Sequence, residues 1–252
     1  MMTEGKYRVV TIPMQAERWQ VDLIQKRMNL CVSIYNRMAD ELEDRYLAML
    51  RSEDYRAAEA AIGYAYSFTG AEREAAKQAP AYVQAVQVKN QLLRAYGFTG
   101  HSCRCRAIEI ADEYRPILPT RVASYTIGNP LWTAWHGVLI GRQTSVKRKR
   151  KGEIRALTSD GRSGIRLLDA NLVNRRAGID LSGEEPLITS DPCAYIVFGR
   201  ESKKRSLRMP LRISRRDAYT IEMLRRPIRR LSIVRRDDPQ GHPTLLASLL
   251  VG

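Results

Sequence analysis

The chain is poor in the residues on which several kinds of function depend. Its 252 residues include four cysteines, three histidines and three phenylalanines. Cys31, Cys103, Cys105 and Cys193 make no spacing that reads as a disulfide framework, and no secretory signal precedes them. No apolar run approaches the ~18 residues that a membrane span needs. These absences predict a reduced, cytoplasmic protein. Acidic residues are also scarce in one half. Residues 119–252 hold 12 Asp+Glu against 26 Lys+Arg, whereas residues 1–118 hold 15 against 16.

The sets that carry catalysis are missing as well. There is no Gly-rich phosphate loop, no nucleophile elbow and no Ser/His/Asp set. The acidic residues between 40 and 59 read as the polar face of a charged helix rather than a two-metal cluster. His101-x-Cys103-x-Cys105 has the look of a metal motif, but zinc takes four ligands and no second pair lies nearby. His136 beside Trp135, and His242 in a Gly-His-Pro turn, have no obvious partners. No catalytic residue, metal ligand or cofactor site is therefore assigned within this chain.

What is abundant is positive charge. The net charge is +15 with a pI near 10.0, far beyond what solubility requires, and it points to a polyanionic partner. Most of the excess is arginine, which pairs bidentately with phosphate and stacks on bases. The asymmetry between the halves predicts two units, the second carrying most of the electrostatic attraction.

Periodicity predicts the order of elements. Residues 6–12 are β-branched and aromatic, as in a strand, and Pro13 stops it. From Gln15, apolar residues from Val21 to Met49 recur every three or four positions, which predicts one long amphipathic helix of roughly nine turns. Further helices are expected over 53–66, 71–95 (broken near Pro80 and closed by Gly97), 102–113 and 120–140, the last interrupted near Gly128 and Pro130. Beyond the basic run 147–151 the pattern changes to short strands at 153–157, 164–168, 194–198, 206–213, 228–235 and 244–251, with one helix at 217–224. Turn signals at 159–161 and 239–241 separate them at the spacing of a small barrel. The expected fold is α+β: a helical bundle inserted into a small oligonucleotide-binding-type β-barrel. Its segments are a first barrel strand (1–14), a helical domain (15–146) and the rest of the barrel with a basic face (147–252).

Alternating apolar and basic residues along 206–213, and basic residues at both ends of 228–236, make a phosphate-tracking face or an ordinary solvated one. The run Lys147, Arg148, Lys149, Arg150, Lys151 reads either as a backbone clamp or as a solvated linker. Tyr35 falls on the apolar stripe of the long helix and reads as core. Asn36 and Arg37 lie just off that stripe, where they have the chemistry to meet a groove.

Three stretches taken in order resemble a known family. The first is Tyr7 to Tyr46, a strand, a Pro and a long helix with Tyr35-Asn36. The second is Trp132 to Arg166, a helix leading into the basic run and then Gly164-Ile165-Arg166-Leu167. The third is Leu207 to Gly252, with Leu-Arg-Met-Pro-Leu-Arg-Ile, a short helix, Pro-Ile-Arg-Arg-Leu-Ser-Ile-Val-Arg-Arg, a turn and a last apolar strand. This order is similar to the N-terminal half of type V CRISPR effectors (the Cas12 group) and of TnpB-like transposon-encoded RNA-guided nucleases.

The resemblance implies a wedge barrel, built from the first and the late strands, with a helical recognition domain inserted after the first strand. It implies the targeting half of a prokaryotic, cytoplasmic RNA-guided DNA endonuclease of antiviral defence or transposition, holding guide RNA and target double-stranded DNA. The family's RuvC-like nuclease domain, the part that would need Mg, begins where this sequence stops and has no counterpart in it. Whether the chain belongs to an enzyme is thus left to that half. By the same analogy Lys6, Arg8, Asn36 and Arg37 are candidates for the DNA duplex. Lys147, Arg148, Lys149, Arg150, Lys151, Arg205, Arg208, Arg212 and Arg215 are candidates for RNA backbone. The alternative is a stand-alone RNA-binding protein with neither guide nor nuclease.

Overall fold

A computed structural model describes residues 7–114, 117–161, 163–169, 194–198, 207–211, 213, 218–224 and 226–252. The architecture is mixed α and β, and among the described residues the strand pairings are antiparallel. Strand β1 (Arg8–Pro13) is followed by helices α1 (Arg18–Arg51), α2 (Glu53–Ser67), α3 (Gly70–Gln78), α4 (Pro80–Ala95), α5 (Gly100–Asp112), α6 (Thr120–Ala123) and α7 (Asn129–Leu139). Strands β2 (Ala156–Ser159), β3 (Ile165–Asp169), β4 (Ala194–Phe198) and β5 (Leu207–Pro210) come next. Helix α8 (Ala218–Leu224) then precedes β6 (Ile228–Asp237) and β7 (Pro243–Val251). Among the described residues no helix is long and apolar enough to cross a membrane.

Local chemistry accounts for the helix boundaries. Ser52 caps α2 by accepting a hydrogen bond from Tyr55 N (3.3 Å), and Thr99 caps α5 by accepting one from Ser102 N (3.0 Å). Pro80 occupies the first turn of α4, where its missing N–H costs nothing. Gly97 follows α4 at φ +85°, a left-handed conformation that only glycine adopts without strain. The expected interruption of the 120–140 helix near Gly128 and Pro130 takes the form of a π-helical turn, Ser124–Gly128, between α6 and α7, with Pro130 in the first turn of α7.

The chain divides into two compact units. One holds residues 1–34, 107–127 and 149–252, and the other residues 35–106 and 128–148. Counted over the sequence, the sheet-bearing unit has 29 Lys+Arg against 18 Asp+Glu, and the helical unit 13 against 9.

In the sheet-bearing unit, one sheet has the order β1-β7-β6-β2 and the other β3-β4-β5. The first strand of the chain thus pairs with the last, Arg8 opposite Val251 through Pro13 opposite Leu246. A bridge from Met14 to Leu211 links the end of β1 to the end of β5, and Gln15 N donates to Pro210 O (2.7 Å). Among the described residues these ladders do not close into a barrel. The core is made by Val10, Ile12, Leu157, Leu231, Ile233, Ala247 and Leu249 on the four-stranded sheet, and by Ile165, Ile196, Phe198 and Met209 on the other. Thr126, in the π-helical turn, seals the outer edge of β2. Its Oγ1 accepts from Thr158 N (2.8 Å) and donates to Thr158 O (3.4 Å).

In the helical unit, Tyr46, Phe98 and Trp135 form an aromatic cluster with ring centroids 5.3–5.9 Å apart. The α2–α4 hairpin has a thinner core: Tyr55, Ala58, Ala65 and Ala85 are its buried residues.

Candidate nucleic-acid interface

Strand alternation sorts the two faces of the four-stranded sheet. Val10, Ile12, Leu231, Ile233, Leu245, Ala247 and Leu249 point inward. Across the other face, the register aligns Thr11, Ser248, Ser232 and Thr158 in one row of hydroxyls, within which Thr158 and Ser232 are hydrogen-bonded (2.9 Å). Val9, Leu250 and Arg230 make the row to one side of it, and Pro13, Leu246, Val234 and Ala156 the row to the other. β6 has a register irregularity between Ile228 and Arg230, leaving Arg229 as the extra residue of a bulge. Arg229, Arg230 and Arg236 are exposed.

Of the residues singled out from sequence, Arg8 and Arg208 are exposed on β1 and β5. Arg208 stands between the buried Leu207 and Met209, as alternation requires. Lys6, Arg205, Arg212 and Arg215 lie outside the described residues. Tyr35 is core, 3 % exposed. Asn36 is half-buried, and the exposed Arg37 pairs with Glu41 (3.4 Å).

The basic run divides by what its charges face. Lys147, Arg150 and Lys151 are exposed, and Lys149 is half-buried. Arg148 is committed within the helical unit: Nε donates to Asp40 Oδ1 (2.5 Å) and Nη2 to Glu43 Oε2 (2.5 Å). Glu41 is engaged from two sides, accepting from Arg106 Nε (2.8 Å) and Nη2 (2.9 Å) as well as from Arg37. The hydrogen bonds from Arg106 hold its carboxyl below the usual carboxylate range. Asp40, Glu41 and Glu43 thus work as counter-charges to arginines, and Glu59 pairs with Lys89.

Other arginines are also used internally. Arg235 is half-buried on β6 and bonds Gln25 of α1 and Asp237 Oδ1 (3.0 Å), while Arg226 pairs with Glu222 (2.8 Å). Arg27 is 7 % exposed, donates from Nε to Ile117 O (2.9 Å) and lies 4.5 Å over the Phe198 ring. Burial brings its pKa down to about 10, which leaves it charged at neutral pH. Nothing in a helical pattern distinguishes such a core arginine from a surface one except its place on the apolar stripe, three residues after Ile24 and four before Cys31.

The His-x-Cys-x-Cys motif lies on α5, where alternate positions point apart. Cys103 is buried and its thiol pushed up to about 11 by that burial. Cys105 Sγ and His101 Nε2 meet on the accessible side at 3.5 Å. Among the described residues no group of three or more His, Cys, Asp or Glu is placed to hold a metal. His242, with no partner evident in sequence, has one: its N donates to Asp238 Oδ1 (2.7 Å) and its ring meets Oδ2 (3.3 Å). His136 packs against Trp132, one turn earlier on α7, with the two rings tilted to one another. No protein-family model and no curated protein matches the chain.

Proposed function

We propose that this chain is the targeting half of an RNA-guided DNA endonuclease, with its sheets forming a wedge-type barrel that grips guide RNA scaffold and the helices holding the target-flanking duplex. The observation that carries this reading is topological. One strand enters the sheet at residues 8–13, and its partner is the last strand, at 243–251, with seven helices intervening before the second strand. A barrel strand followed by an inserted helical domain is the arrangement the resemblance implies. Charge supports it too, because the basic excess is concentrated in the sheet-bearing unit, where Arg8, Arg208, Arg229, Arg230 and Arg236 are exposed. In this reading sequence is read by pairing to the guide, and protein contacts serve the backbone and the short flanking motif.

The test is to express the chain with its native flanking DNA and sequence the RNA that co-purifies. One discrete RNA encoded beside the gene, with a variable end, is expected. Heterogeneous cellular RNA, bound with no preference over random RNA of equal length, would favour the stand-alone RNA-binding protein instead.

A further inference from the structure

One corner of the four-stranded sheet combines features that the electrostatic reading leaves unused. Tyr7 leads into β1 and is 61 % exposed, and Val9, on the same face, is 66 % exposed. Large apolar side chains that open to solvent are not part of this sheet's core. Val9 stands opposite Leu250 of β7, and Leu250 opposite Arg230 of β6. The bulge next to Arg230 presents Arg229, whose Nε donates to Gly252 O (3.4 Å). Gly252 lets the tyrosine come close: a Cβ there would lie 2.7 Å from Tyr7 Cδ1 and 3.3 Å from Tyr7 Cα. Arg8 is exposed on the neighbouring position of β1.

Among the described residues no Asp or Glu side chain lies within ion-pair distance of Arg229 or Arg230, in contrast to Arg148, Arg226 and Arg235, and the contact that Arg229 makes is the one to Gly252 O. We infer that this corner is a binding site for single-stranded nucleic acid, in which a nucleobase stacks on Tyr7 over Val9 and Leu250 while flanking phosphates are held by Arg229 and Arg230. An aromatic face offers every base a stacking surface, and guanidinium groups beside it match the phosphates on either side. A duplex does not fit this chemistry, because its bases are already stacked on one another. The inference rests on the nucleic-acid reading above and adds to it the site and the strandedness of its ligand.

The test uses the full chain and fluorescein-labelled 20-nucleotide poly-U RNA, its poly-dT counterpart and a 20-base-pair duplex, with affinity followed by anisotropy across a salt series. Tyr7→Ala is expected to weaken both single strands about tenfold or more without changing the salt slope, and to leave the duplex unaffected. Tyr7→Phe keeps the ring and is expected to bind as the parent does, which separates stacking from misfolding. The double variant Arg229→Gln/Arg230→Gln is expected to flatten the single-strand slope by about 1.4, two phosphates at about 0.7 each. Parent-like single-strand binding by both Tyr7→Ala and the arginine pair would overturn the site while leaving the broader reading intact. No salt-dependent binding by the parent chain would overturn both.

Discussion

A positive residue contributes to polyanion binding only to the extent that its charge is not already neutralised, and Arg148 shows how far sequence position misleads on this point. In the run 147–151 it reads as one of five equivalent cations, yet its guanidinium is forked onto Asp40 and Glu43. Moving it to a phosphate would exchange two carboxylates for one anion, with little net gain. Arg150 is exposed and has no such clamp. Arg150→Gln is therefore expected to reduce the slope of log affinity against log salt for single-stranded RNA by about 0.7. Arg148→Gln is expected to leave that slope unchanged and to lower stability modestly, by about 0.2–1 kcal/mol for each half-exposed pair it breaks. Salt titrations and urea melts of the two variants check this. Equal slope changes would show that the clamp opens when nucleic acid binds.

At the scale of elements, much of the chain was legible because periodicity is a backbone property. The 3.6-residue repeat from Val21 to Met49 gave α1, and the strands predicted from residue 194 onward fall where β4 to β7 lie. Gly128 ends the π-helical turn, as a helix interruption there predicts, and it also serves a contact that no periodicity shows. A Cβ on it would sit 2.8 Å from Arg104 Cα of α5, so the residue is small to let two backbones approach. Thr126 is another feature that no periodicity reveals, since it acts across 32 residues on the edge of β2. Thr126→Val keeps the shape but leaves the N–H and C=O of Thr158 without that partner in a protected setting. A loss of about 1–3 kcal/mol is expected in chemical denaturation, with Thr126→Ser retaining most of the stability. An unchanged midpoint for Thr126→Val would mean that the strand edge is satisfied some other way.

For the whole molecule, what sequence conveyed about the candidate interface was its sign and its half, not its membership. Composition located the excess charge after residue 118, but ion pairing decides which cations remain available, and that depends on contacts between residues as far apart as Asp40 and Arg148. In the sheet-bearing unit the exposed basic residues that no described Asp or Glu engages include Arg8, Arg150, Lys151, Arg208, Arg229, Arg230 and Arg236. If most of these meet phosphates of one strand, the dependence of log affinity on log salt should have a slope of about −4 to −5. Over the fourfold change from about 50 to 200 mM salt, that amounts to a loss of roughly a thousandfold in affinity. Net charge alone predicts a different outcome, because dispersed, solvated cations attract a polyanion weakly and release few counterions. A slope no steeper than about −2 would therefore separate a charged surface from a built interface, and would place the +15 of this chain in the first category.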